Sequence, residues 1–151
     1  MAKEIERKFL VTSDAYRTLS VSACEIRQGY LSRNPDATVR VRLMGDRGFL
    51  TVKSRNRGIS RDEWEYEIPA RDAVEMLDRL CDGPVLAKTR YIVPAESGDW
   101  EIDEFHGRLE GLVLAEIELP AADIPVIIPD YIGREVSGDP QYYNSNLAAQ
   151  A

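Results

Sequence analysis

The chain is poor in the residues on which several common chemistries depend. It holds one histidine, His106, and two cysteines, Cys24 and Cys81, in 151 residues. His106 stands beside Gly107 in an expected turn, so neither a Ser-His-Asp nor a Cys-His nucleophilic arrangement is indicated. The cysteines lack metal-motif spacing, and nothing places them in an oxidising compartment, so they read as reduced packing thiols. No apolar run approaches the roughly 20 residues that span a bilayer, and Met1-Ala2-Lys3 leads into charge instead of a signal-peptide core. The expectation is a cytoplasmic protein with no membrane partner. A Gly-x-x-x-x-Gly-Lys-Ser/Thr segment is also missing, which sets aside a P-loop NTPase. Basic residues are in deficit, 19 Lys and Arg against 26 Asp and Glu, and the net charge of -7 argues against a nucleic-acid-coating surface. Repeats, low-complexity stretches and linkers are lacking as well, so residues 1–151 read as one domain, long enough to bury a core.

What the chain has in abundance is strand. Alternating or β-rich stretches occur near residues 3–11, 25–32, 38–44, 48–53, 61–69, 86–95, 99–105 and 112–119, punctuated by turns such as Gly45-Asp46-Arg47-Gly48 and Asn56-Arg57-Gly58. Residues 71–80 put Ala73, Met76, Leu77 and Leu80 on one helical stripe, and Gly83-Pro84 stops the helix. Shorter helices are expected over 13–19, with Ser13 or Asp14 as cap, and over 129–136 after Pro129.

Charge is distributed over these strands by a rule. Residues two apart in a strand point the same way. Glu4, Glu6 and Lys8 therefore share one face of the first strand, opposite Ile5 and Phe9. Later strands repeat the pattern with Arg40 and Arg42, with Lys53, with Glu63, Glu65 and Glu67, with Lys88 and Arg90, with Glu101 and Asp103, and with Glu116 and Glu118. For any single strand, a solvated face of an ordinary antiparallel sheet explains this. Like charges paired within one strand after another, with few Ser, Thr, Asn or Gln among them, weaken that explanation, because such pairs repel unless something compensates. Eight strands can close into a barrel that holds one small ligand. The predicted fold is thus α+β, mainly β: a closed eight-stranded antiparallel barrel with a charged lumen and helices packed outside. Trp64, Tyr66, Tyr91 and Trp100 then face outward, where they suit helix packing or a second subunit, leaving a homodimer open.

Six of these lumen positions are cationic and nine anionic, an excess of negative charge that would repel an anion. Yet rows of Arg and Lys offer the fork and point-charge donors that phosphate oxygens take. Divalent cations resolve the conflict. All-oxygen carboxylate ligands suit Mg²⁺ or Mn²⁺, and two such ions would turn the sum positive.

Glu4-Ile5-Glu6-Arg7-Lys8 resembles the Glu-x-Glu-x-Lys signature of the CYTH domain of triphosphate tunnel metalloenzymes, a family that includes inorganic triphosphatases, thiamine triphosphatases and class IV adenylate cyclases. The resemblance runs through Gln28-Gly29-Tyr30-Leu31, Thr38 to Arg42, Phe49 to Lys53, Gly58 to Arg61, Lys88-Thr89-Arg90-Tyr91 and Trp100 to Phe105. It continues to Ala115 to Leu119, Gly133 to Asp139 and Tyr142-Tyr143-Asn144. It implies metal ligation by Glu4, Glu6, Glu116 and Glu118 with Asp103 as a further acid, and phosphate clamping by Arg40, Arg42, Lys53, Lys88 and Arg90. Lys8 would bind phosphate or orient the attacking water, Glu63 and Glu65 would serve as catalytic acids of the wall, and Arg134, where relatives often carry Lys, would be a further substrate-binding residue.

The activity so implied is metal-dependent hydrolysis of a small-molecule inorganic triphosphate, tripolyphosphate, to pyrophosphate and orthophosphate, with Mg²⁺ or Mn²⁺ as cofactor. A class IV adenylate cyclase would make cyclic AMP from ATP in a similar tunnel, and a non-catalytic polyphosphate-binding module would bind without turnover.

Overall fold

The computed structural model describes residues 2–151. Nine strands form one antiparallel sheet: β1 (Ala2–Val11), β2 (Ser22–Ser32), β3 (Thr38–Met44), β4 (Arg47–Lys53), β5 (Ser60–Ile68), β6 (Leu86–Val93), β7 (Trp100–Phe105), β8 (Val113–Glu118) and β9 (Ile132–Glu135). Their order is β5-β4-β3-β2-β6-β7-β8-β1-β9, and an added β5–β1 pairing closes the first eight into a barrel. This is the architecture the alternation of charge predicts, with one strand more.

Closure depends on the length of β1. Its residues 2–5 pair with β5 on one edge, while residues 6–10 pair with β8 on the other. Past β5 the first edge would expose unpaired N–H and C=O groups. β9 covers it, with Phe9 opposite Glu135 and Val11 opposite Ile132. The helix expected over 129–136 is therefore replaced by a strand: an open sheet edge outweighs the weak helical preference of a segment that contains Gly133. Gly133 eases the approach of the two strands, since a Cβ there would lie 2.8 Å from Thr12 Cγ2 and displace that exposed side chain.

Three helices complete the chain: α1 (Tyr16–Leu19), α2 (Ala70–Arg79) and α3 (Asn144–Ala148). α1 is shorter than the expected 13–19, because Ser13 Oγ is used in a turn, accepting from Ala15 N at 3.4 Å. Its Tyr16 is buried edge-on against Tyr91 at 5.5 Å. α2 lays Ala73 and Leu77 on Val41 of the outer wall. Gly48 permits this approach, since a Cβ there would meet Ala73 Cβ at 2.8 Å. Leu80, expected on the same stripe, lies past the last helical residue and is 60% exposed. Among the outward aromatics, Trp100 is wholly buried against Phe9, but Tyr66 is exposed and no helix covers it, contrary to expectation.

The inward face changes character along the barrel axis. Charged residues occupy one part, and Tyr30, Leu86, Phe105 and Leu114 form an apolar floor in the other. α3, which the sequence pattern did not announce, drives Leu147 and Ala148 into that floor. No helix among the described residues is long and apolar enough to cross a membrane.

Candidate active site in the barrel lumen

Strand register converts the sequence alternation into rings of charge. Lys8 stands opposite Glu116, which stands opposite Glu101; Glu6 is opposite Glu118. Arg90 pairs in register with Asp103, Arg40 with Thr51, Thr51 with Glu65, and Lys53 with Glu63. Because every pair is antiparallel and period two, one inward residue per strand recruits its neighbours to the same face.

A cavity of about 190 Å³ is lined by Glu4, Glu6, Arg40, Arg42, Lys53, Glu63, Glu65, Arg90, Glu101, Glu116, Glu118 and Asn144. Not one of them is apolar. A smaller cavity of about 70 Å³ adjoins it and adds Lys8, Tyr30, Asn56, Ile59, Arg61 and residues of the C-terminal segment.

The cationic wall is short of anions. Arg40 and Arg42 share a single carboxylate, Glu65, at 3.6 and 3.4 Å. The Nε groups of both are buried and have no hydrogen-bond partner among the described residues. Burial, with Arg40 and Arg90 close by, brings Arg42 down to about 10. Buried donors left open in this way are costly unless a ligand fills them. Lys53 is better satisfied, 3.0 Å from Glu4 and 3.2 Å from Glu63.

The acidic wall has the opposite problem. Oxygens of Glu6, Glu101 and Glu116 all lie within 4.8 Å of one another. Burial, then Glu116 and Glu4, pushes the Glu6 carboxyl well up, so that it tends to keep its proton. Burial also raises Glu101 and Glu118. Burial would raise Glu116 too, but Lys8, Glu6 as a hydrogen-bond partner, Lys88 and Arg90 more than offset it and hold it low. Three carboxylates converging without Cys or His fit a hard divalent cation. Glu4 lies outside this trio. Against the upward pull of burial it is held well below the usual carboxylate range by Lys53 and Arg61, whose Nε donates to it at 3.1 Å.

The structure brings together Glu4, Glu6, Glu63, Glu65, Glu116, Glu118, Lys8, Arg40, Arg42, Lys53 and Arg90 around these two cavities. Two expected site residues lie deeper in the barrel, on its inward face but below the two cavities. Asp103 is 1% exposed and takes a fork from Arg90, Nε and Nη2 donating at 2.8 and 2.9 Å. Lys88 is fully buried, 2.8 Å from Asp103 but out of hydrogen-bond alignment, with its ammonium over the Phe105 ring; burial brings it down to about 8. Neither lines a cavity; Asp103 acts on the lumen through Arg90, and Lys88 through the charge that helps hold Glu116 low. Arg134 is exposed on β9 and lines neither cavity, because that strand lies on the outer flank of β1 beyond β5. Glu67 is half exposed and bonded to Arg47 outside the lumen. His106 hydrogen-bonds with Thr89, 2.7 Å away, away from the cavities.

Some lining residues were not singled out as site residues from sequence. Glu101 was legible as a lumen acid, but its place in the carboxylate trio needs the β7–β8 register. Arg61 falls opposite Glu4 and lines the smaller cavity; Thr51, buried beneath the lining, donates to Glu65 at 2.7 Å, and a short polar residue inside a strand carries no periodic signal of its own. Asn144 arrives from the C-terminal helix, at a distance no strand pattern predicts.

A closed barrel whose lumen sets unsatisfied guanidinium groups opposite a carboxylate trio defines a site for a polyanion bound together with cations. The CYTH domain model matches residues 2–143, and the chain belongs to that family. An inorganic triphosphatase of Acetivibrio thermocellus is 54% identical over 147 residues, covering 97% of this chain and 94% of that protein. One of Nitrosomonas europaea is 38% identical, covering 96% of each. A crystal structure of an inorganic triphosphatase superposes with a TM-score of 0.68 at 35% identity, covering 100% of this chain and 97% of that one.

Proposed function

We propose that this chain hydrolyses inorganic triphosphate to pyrophosphate and orthophosphate in its barrel lumen, with Mg²⁺ or Mn²⁺ as cofactor. The observation that carries the proposal is the pair Arg40 and Arg42, which share one carboxylate between them and line a cavity that also holds three converging carboxylates. The size and lining of the lumen support an inorganic substrate over an organic one. At about 190 Å³ without an apolar side chain, the larger cavity falls below the roughly 300–1,000 Å³ of pockets for drug-sized ligands, and apolar surface is confined to the cavity of about 70 Å³ beside it.

In this reading Arg40, Arg42, Lys53 and Arg90 grip the non-bridging oxygens and hold the phosphate chain in line, which removes much of the entropy of a bimolecular encounter. They also stabilise charge that spreads over the phosphoryl oxygens in a loose transition state. Lys8, kept charged by Glu116 and Glu6 against the effect of burial, donates to the phosphate or fixes the attacking water. Glu6, Glu101 and Glu116 would hold a divalent cation, and Glu4 and Glu118 are the acids left to a second ion. Such a cation, when bound, neutralises phosphate charge and lowers the pKa of a bound water. Glu63 and Glu65 keep Lys53, Arg40 and Arg42 aimed inward until substrate replaces them. Asp103 locks the orientation of Arg90 through its fork.

The test is a panel of tripolyphosphate, ATP, thiamine triphosphate and pyrophosphate, run with each metal and with products identified. Orthophosphate and pyrophosphate from tripolyphosphate, abolished by chelator, are the expected result. Cyclic AMP from ATP would establish a cyclase instead, and binding of tripolyphosphate without turnover would establish a binding module.

A further inference from the structure

The larger and smaller cavities meet at five residues common to both linings: Glu4, Glu6, Arg40, Lys53 and Asn144. Four are charged and come from barrel strands. Asn144 is neutral and comes from the first residue of α3, so the C-terminal segment completes the lumen. Its Oδ1 is buried without a hydrogen-bond partner among the described residues. Its side chain caps nothing in the helix that carries it.

Asn144 is nonetheless held in place through its neighbours. Val136 N donates to Lys8 O at 2.8 Å, and Lys8 N donates to Ser137 Oγ at 2.9 Å. Lys8 Nζ donates to the carbonyl of Tyr142 at 2.8 Å, two residues before Asn144. Three residues after it, Leu147 is sunk in the apolar floor. The chain therefore fixes Asn144 on both sides, through Lys8 before it and through the apolar floor after it, while its amide makes no hydrogen bond among the described residues. A buried polar end without a partner is a cost that a purely structural position would have lost.

We propose that Asn144 is a substrate-contact residue, donating its amide to a phosphate oxygen where the two cavities meet. This rests on the triphosphatase reading above. Rotation of the amide by a half turn presents either the NH₂ or the oxygen at the same point. The NH₂ serves a phosphate oxygen, and the outer oxygen then accepts from water. A neutral donor suits this place: Arg40 and Lys53 already supply cations to the shared lining, and Glu4 and Glu6 line it too, so a further cation would be drawn to their carboxylates.

Steady-state kinetics and melting curves of Asn144→Ala and Asn144→Asp test it. A hydrogen bond to a charged group is worth about a factor of ten to a hundred. Asn144→Ala should raise KM for tripolyphosphate by about that factor, with kcat at saturation changed far less and the metal-free melting temperature kept. Asn144→Asp preserves shape but places a carboxylate against phosphate, so it should bind tripolyphosphate still more weakly than the alanine variant. An unchanged KM in Asn144→Ala, a KM that rises only in step with lost melting temperature, or an aspartate variant that binds as well as the alanine one would each overturn the contact. Wild-type protein that neither binds nor hydrolyses tripolyphosphate would instead overturn the triphosphatase reading itself, and this proposal with it.

Discussion

Replacing Glu6 with glutamine should stabilise the metal-free protein and cripple its response to metal. Glu6 belongs to a trio of carboxylates whose oxygens lie within 4.8 Å of one another. Two unit charges at that distance repel by about 3 kcal/mol at an effective dielectric constant of about 20. Glu6 escapes part of this by keeping its proton, as its raised pKa records, so the figure is an upper bound. Glutamine keeps the shape and removes the charge, which should stabilise the metal-free fold by about 1–3 kcal/mol. For a chain of this length each kcal/mol moves the melting temperature by about 2–4 °C, so a rise of about 2–12 °C is expected in EDTA. A metal at a hundred times its Kd stabilises the wild type by about 2.7 kcal/mol, whereas the variant, with one ligand fewer, should gain well under half of that. Thermal melts in EDTA and across a Mg²⁺ or Mn²⁺ titration read both effects. A variant that melts lower than wild type in EDTA, or one that keeps the full metal-induced shift, would refute the reasoning.

Other perturbations separate site from scaffold. Arg40→Ala removes a guanidinium whose Nε has no internal partner, so it should raise KM for tripolyphosphate by about tenfold or more while metal-induced stabilisation persists; an unchanged KM would remove Arg40 from the clamp. Leu77→Ala, under the outer wall at 3% exposure, should cost about 2–5 kcal/mol of stability in urea melts and leave KM near wild type. The pH dependence has a definite sign. Glu6, Glu63, Glu101 and Glu118 have folded pKa values above their ordinary 4.5, so above that value, where the acids held low such as Glu4 and Glu116 are ionised folded or unfolded, the metal-free fold binds more protons than the unfolded chain. Its stability should therefore fall as pH rises from about 4.5 through those raised values, and Glu6→Gln should flatten the slope. Metal affinity, which requires the ionised carboxylates, should rise over the same range when followed by calorimetry.

The barrel was legible because its information is periodic. Seven of the eight barrel strands carry charge on one face, and the period of two survives any error in strand ends. Strand bounds moved by a few residues at most, and β3 ran over 38–44 as expected. Failures fell where tertiary context rules. Residues 132–135 became a strand because β1 had an uncovered edge, a fact about a neighbour and not about the segment itself. α3 is five residues long and holds its place through Leu147 and Ala148 in the floor, too short a stretch to show a helical period. Within the site, identity of lumen residues could be read from alternation, but partnership could not. Asp103 and Glu101 lie on one face of one strand, yet Asp103 is spent on Arg90 while Glu101 joins Glu6 and Glu116. That division is set by depth along the barrel, which only the register between strands reveals.

The account rests on cations making an acidic lumen hospitable to a polyanion, and calorimetric titration of tripolyphosphate into the wild-type protein tests this directly. Run in EDTA and again with saturating Mg²⁺ or Mn²⁺, it should show binding only when the metal is present. Equally tight binding in EDTA would contradict it.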